Sequence, residues 1–162
     1  MGIQKLDLGE FDEIDYYLIA IHTLLEDYCL AYFINQKLPI NLSKSEEDIQ
    51  INIKEGEINF SRFYYNDDDS NFTWNLIQNK NEVIQHKEGN TQNLFSNVTM
   101  EVATKAYLLP ELKKVDYFLK IENNEGPLDL SNIQLLLNTI DNVSTIFIVD
   151  KKQIKSKNNL IF

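Results

Sequence analysis

Glu111 and Asp116 are the two carboxylates of this chain whose spacing invites an acid–base reading, five positions apart in Leu-Pro-Glu-Leu-Lys-Lys-Val-Asp-Tyr-Phe. Such catalysis needs titratable groups held in different protonation states within reach of one substrate. His22, at the end of an apolar run, is a third candidate, as a general base at the strand's C-terminal end. Together His22, Glu111 and Asp116 define one candidate pocket. The surrounding sequence argues against chemistry there, since no His, Cys or Gly-rich loop adjoins the carboxylates. Cys29 lies among apolar neighbours with no cation to stabilise a thiolate, so it is expected to be an inert core thiol. His22 and His86 lack the accompanying Cys or carboxylate ligands of a metal site. Phosphate-cradling glycine motifs are absent, with five glycines in total. Asp67-Asp68-Asp69-Ser70 lacks the alternate spacing and distal glutamate of a calcium loop and is expected to be a solvated hairpin turn. No pattern calls for a cofactor, and the balance of these readings is non-enzymatic.

Composition narrows the classes further. The chain has 162 residues, 43% of them hydrophobic, with a net charge of −10. That is the size and apolar content of one globular domain with a single core. Direct nucleic-acid binding is disfavoured, because phosphate neutralisation needs clustered cations and Arg62 is the one arginine. For the same reason the aromatics Phe60, Phe63, Tyr64, Tyr65, Phe72 and Trp74 are expected to pack under helices rather than stack on bases. No apolar run is long enough for a membrane span. With no leader pattern and a single cysteine, a cytoplasmic location is the expectation.

The charge is unevenly placed. Residues 151–162 carry four lysines and no acid, leaving 11 basic against 25 acidic groups in residues 1–150. The expected organisation is therefore a single α+β domain over 1–150 and a basic tail with an apolar end over 151–162. Lys155, Lys157, Leu160, Ile161 and Phe162 are the candidate interaction residues of that tail. A disordered terminus, a segment folded back onto the domain, and a peptide inserted into a partner's groove all remain open.

The elements that would position these groups follow from periodicity. Residues 3–8 fit a short edge strand. Tyr16–His22 is apolar on both faces, as in a strand covered on both sides. Thr23 and Glu26 suit a capping box for a helix over Leu24–Lys37. The apolar positions Leu25, Tyr28, Cys29, Tyr32 and Phe33 wrap that helix and predict burial all round. Residues 41–56 fit a polar, mobile connection. Two strands, Glu57–Asn66 and Asn71–Asn79, form a hairpin with Phe72, Trp74 and Leu76 on one face. In residues 80–104, Glu82–Gln85 suits an extension of the sheet, Lys87–Gln92 a loop, and Leu94-Phe95 an anchor.

Pro110 and Glu111 suit a corner entering a strand. There Val115, Tyr117, Leu119 and Ile121 face a core, and Asp116, Phe118, Lys120 and Glu122 face mostly outward. Ser131 and Gln134 suit a second capping box, with Ile133, Leu136, Leu137 and Ile140 on one helical face. Val143–Val149 is the most β-prone run. The sum is a two-layer α+β sandwich of a mainly antiparallel sheet with two helices, loosely ferredoxin-like with β insertions.

The stretch Leu109-Pro110-Glu111 through Val115-Asp116-Tyr117 resembles the signature of the IPExxxVDY family of Bacteroidota, with Leu109 at the position of the first isoleucine. Ile21-His22-Thr23, Leu30 to Asn35, Leu76 to Lys80 and Lys155 to Phe162 are similar to further segments of that family. The resemblance implies a cytoplasmic protein and brings no catalytic or binding residues with it. The functional expectation is a protein–protein interaction or regulatory module whose partner is another protein, with homo-oligomers left open. The alternatives are the pocket of His22, Glu111 and Asp116, and an acidic regulator of a nucleic-acid enzyme that mimics phosphate charge.

Overall fold

The computed structural model describes residues 15–88, 99–123 and 127–162 of the chain. Its centre is β1 (Tyr16–Thr23), whose Leu18 to Ile21 are all buried. On one side β1 pairs antiparallel with β10 (Val143–Ile148), and on the other with β9 (Tyr117–Asn123). β6 (Phe72–Gln78), β5 (Arg62–Asp67) and the two-residue β2 (Ser43–Lys44) extend the sheet from β9, giving the order β10-β1-β9-β6-β5-β2. All neighbours run antiparallel. Helix α1 (Asp27–Lys37) lies between β1 and β6 in sequence, and α2 (Leu130–Asn138) between β9 and β10. The four strands β10-β1-β9-β6 with these helices thus trace two split βαβ units, the ferredoxin-like arrangement. The insertions are all β. One is β2, the hairpin β3 (Ile49–Ile53) and β4 (Gly56–Phe60), and β5, and the other is the ribbon β7 (Lys80–Glu88) and β8 (Thr99–Tyr107).

Both faces of the sheet are covered, because the strands are apolar on both sides. On one face Ile19, Ile21, Trp74, Leu76, Leu119 and Ile121 meet Leu30, Ala31 and Ile34 of α1 and Ile133 and Leu137 of α2. On the other, Leu18, Ala20, Ile77 and Phe118 meet Ile58 and Phe60 of β4, Leu108, Leu109 and Val115, and Ile154 and Leu160. Residues 151–162 thus fold back onto the domain and share its second core. This second core also corrects the expectation that Phe118 and Lys120 point outward, for both are buried.

Other corrections have local causes. α1 starts at Asp27, with no side-chain cap from Glu26. The expected capping box does not form: Thr23 ends β1, its hydroxyl donates to the Asn142 carbonyl (2.7 Å) and its oxygen accepts from the Leu25 N–H (3.1 Å). The helix buries one side, leaving Tyr28 64% and Tyr32 60% exposed, because the sheet covers it from below alone. α2 is capped by Asp129, which accepts from the Asn132 N–H (3.1 Å), not by Ser131. Ile133, Leu137 and Ile140 are buried as the helical spacing predicts.

Residues 41–56 hold β2 and β3 rather than a mobile connection, since Ile49, Ile51 and Ile53 pack on the second core. Lys54 and Glu55 form the β3–β4 turn, and Gly56, at φ +137°, leads out of it into β4. The expected single strand Glu57–Asn66 breaks at Ser61, where the chain leaves β4 and enters β5 of the main sheet. Lys87, expected in a loop, belongs to β7. The expected strand at 3–8 and the Leu94-Phe95 anchor lie outside the described residues.

Candidate functional site

The signature segment is organised from beneath by Asn79, which is 0% exposed. Its Nδ2 donates to the carbonyls of Leu112 (3.0 Å) and Val115 (2.7 Å), and its Oδ1 accepts from the Leu109 N–H (2.9 Å). One buried amide therefore serves three main-chain groups around the 3-10 turn Pro110–Leu112: it is the partner of the Val115 carbonyl and the Leu109 N–H, and a second donor to the Leu112 carbonyl, which also accepts from the Val115 N–H (3.0 Å). From this turn the two carboxylates are sent to different partners. Glu111 accepts from the N–H groups of Lys155 (2.8 Å) and Ser156 (2.8 Å) and from the Ser156 hydroxyl (3.0 Å). Burial acts to raise its pKa, but the hydrogen bonds from Ser156, its own N–H and Lys155 outweigh that and hold it below the usual carboxylate value.

Asp116 faces the opposite connection. Its Oδ2 accepts from the Thr23 N–H (2.9 Å), its Oδ1 meets Lys80 Nζ at 2.8 Å, and His22 Nδ1 stands 4.0 Å from Oδ2. Tyr117, next in sequence, donates its hydroxyl to the Leu25 carbonyl (2.8 Å), and burial pushes its pKa well above the phenol range. His22 and Asp116 are therefore brought together, whereas Glu111 serves the segment 155–156. Asp116 serves an ammonium and a main-chain N–H, and through the Thr23 N–H it pins the β1–α1 connection. A shallow open groove of about 420 Å³ adjoins Lys80, lined also by Asn81, Glu82, Lys105 and Tyr107. Among the described residues no group of three or more His, Cys, Asp or Glu is placed to hold a metal ion. Cys29 is a half-buried free thiol on α1. Asp67 closes the hairpin turn by accepting from the Asp69 and Ser70 N–H groups.

The tail residues make a second cluster. Leu160 is buried, Lys155 and Lys157 are exposed, and Ile161 and Phe162 are 78% and 42% exposed. Asn159 Nδ2 donates to the Leu108 carbonyl (2.7 Å), and the Leu160 carbonyl accepts from Lys120 Nζ (2.8 Å). Lys120, 5% exposed, is also paired with Glu122 and stands over the rings of Tyr16 (5.1 Å) and Phe162 (4.8 Å). A second cation flanks the same Phe162 ring, with Arg62 Cζ 4.7 Å from its centroid. Arg62 donates from Nε to Oδ1 of buried Asn75 (2.9 Å) and lies 5.4 Å from the Tyr64 ring, and burial lowers its pKa.

Sequence reasoning picked out the tail but missed Arg62 and Lys120, which receive it on the sheet, and Tyr64, which lies against Arg62. The available signal was a single arginine within an aromatic run, with a lysine on the strand that follows the signature. No protein-family model, curated protein or solved structure matches the chain. Among the described residues no helix is long and apolar enough to cross a membrane.

Proposed function

We propose that this chain is a non-enzymatic protein–protein interaction or regulatory module of the cytoplasm, related to the IPExxxVDY group through its 109–117 signature. Its contact surface is the patch of Ile161, Phe162, Arg62 and Tyr64. The observation that carries this reading is an exposed apolar pair directly following a segment anchored at residues 155, 156 and 160. Ile161 is largely exposed and Phe162 partly so, its ring lying between Arg62 and Lys120, while Leu160 is buried and Glu111 grips residues 155 and 156. An aromatic and an arginine presented without further ordering are the groups that dominate binding energy at interfaces. Lys155 and Lys157 form a basic rim on an otherwise acidic body, which suits steering of an oppositely charged partner.

The test uses point substitutions in the full chain, because residues 151–162 are part of the core. Wild type, Ile161→Asp and a control at another exposed apolar position, Ile84→Asp, are compared by affinity capture from native lysate after folding is confirmed. A partner retained by wild type and Ile84→Asp and lost with Ile161→Asp supports the patch. Equal capture by all three, or by none, overturns it.

A further inference from the structure

Arg62 has a fixed direction and unspent hydrogen-bonding capacity. Asn75 engages its Nε, and the rings of Phe162 and Tyr64 flank the guanidinium. Among the described residues no acceptor is paired with either Nη. Glu122 and Glu47 act on Arg62 through space, and Glu122 is bonded to Lys120. Lys120 is fully engaged, by Glu122, the Leu160 carbonyl and two rings, so it has little to offer a visitor. A half-buried guanidinium with idle donors has lost part of its water without full replacement. A carboxylate restores two parallel N–H···O bonds in the plane of the fork, a match that a lysine cannot reproduce.

We propose that Arg62 is the recognition point for a carboxylate on an acidic, apolar-flanked segment of the partner protein, with Ile161 and Phe162 packing beside it. This rests on the interaction reading above and adds the chemistry of what is recognised. Because the net charge of −10 repels free anions, the apolar neighbours contribute a necessary share of the binding.

The single arginine makes the test direct, since the full chain has one arginine Nε–Hε resonance. The probes are a capped Leu-Glu-Leu tripeptide, its Leu-Gln-Leu counterpart and inorganic phosphate, each titrated into wild type, Arg62→Lys and Ile161→Asp. The expected result is a saturable shift of the Arg62 signal by the glutamate peptide in the ~millimolar range, at least about tenfold weaker with the glutamine peptide. With Arg62→Lys, binding read on the Ile161 methyls weakens by a similar factor, about tenfold. Equal response to both peptides, or no shift of Arg62, overturns the carboxylate assignment. A response to phosphate as strong as to the glutamate peptide overturns it too, by showing a general anion subsite. If both peptides move the Ile161 methyls while Arg62 stays still, the apolar patch stands and the carboxylate assignment alone fails. If nothing moves and Ile161→Asp captures as wild type does, both fail.

Discussion

The two faces of the six-stranded sheet are built by different physics. The helix face is a layer of aliphatic and aromatic side chains from β1, β6, β9 and the inner sides of α1 and α2. Burial there is non-directional and tolerates approximate shapes. The opposite face also has an apolar centre, but its cover is a patchwork of a hairpin, the 108–115 segment and residues 151–162. That cover is held by directional bonds: Asn79 under the signature, Glu111 to Ser156, and Lys120 to Leu160. One face follows from hydrophobic pattern, while the other is specified by a few polar groups whose partners lie far away in sequence. The second face carries the proposed interaction patch.

The sharpest way to break this comparison is to remove the cover. A chain ending at Asp150 loses the buried Ile154 and Leu160 and leaves Glu111 without the Lys155 and Ser156 donors. At about 2–5 kcal/mol for each large core side chain, the loss approaches the whole stability of a domain this size. Thermal unfolding followed by circular dichroism should lose its cooperative transition. Asn79→Ala comes next, leaving the Val115 carbonyl and the Leu109 N–H of the signature turn unsatisfied, with an expected cost of roughly 2–3 kcal/mol or more in urea unfolding. On the helix face Leu137→Ala, from a fully buried position, should cost about 2–5 kcal/mol with no change in pH dependence.

Glu111→Gln sharpens the contrast, because only the polar face should respond to acid. The folded carboxyl sits below its ordinary value of 4.5. Its stabilisation is therefore present above that value and is lost as pH falls through the lower folded one. Wild type should exceed Glu111→Gln by about 1–2 kcal/mol near neutrality. The gap in urea midpoint should close as pH drops from roughly 5 to 3, whereas a constant gap would show that charge plays no part. Tyr117→Phe should have the smallest effect, about 1 kcal/mol for one hydrogen bond to the Leu25 carbonyl.

The same division explains what could be seen in the sequence. Tyr16–His22 as a doubly covered strand, Phe72, Trp74 and Leu76 on one face, and the α2 stripe were legible because burial leaves a local period. The ferredoxin-like order with β insertions followed from them. Thr23 misled because a strand-ending threonine and a helix cap look alike until Asn142 is seen to accept its hydroxyl. Phe118 and Lys120 misled because alternation reports one covered face and is silent about a second. Among the candidates, His22 with Asp116 came together, but the separate destination of Glu111 depends on a turn set by Asn79, thirty residues or more away. Nothing local marks such an asparagine.

The position of β1 bears on how the chain is made. Among the described residues its strand partners are β9 and β10, so the described chain between Thr23 and Tyr117 supplies no neighbour for it. At ribosomal rates of about 5–20 residues per second, an eight-residue strand with two open edges waits on the order of 5–20 s for the next one. During that interval the apolar run Leu18 to Ile21 has both edges open, and the step that ends the wait is the arrival of the signature and β9.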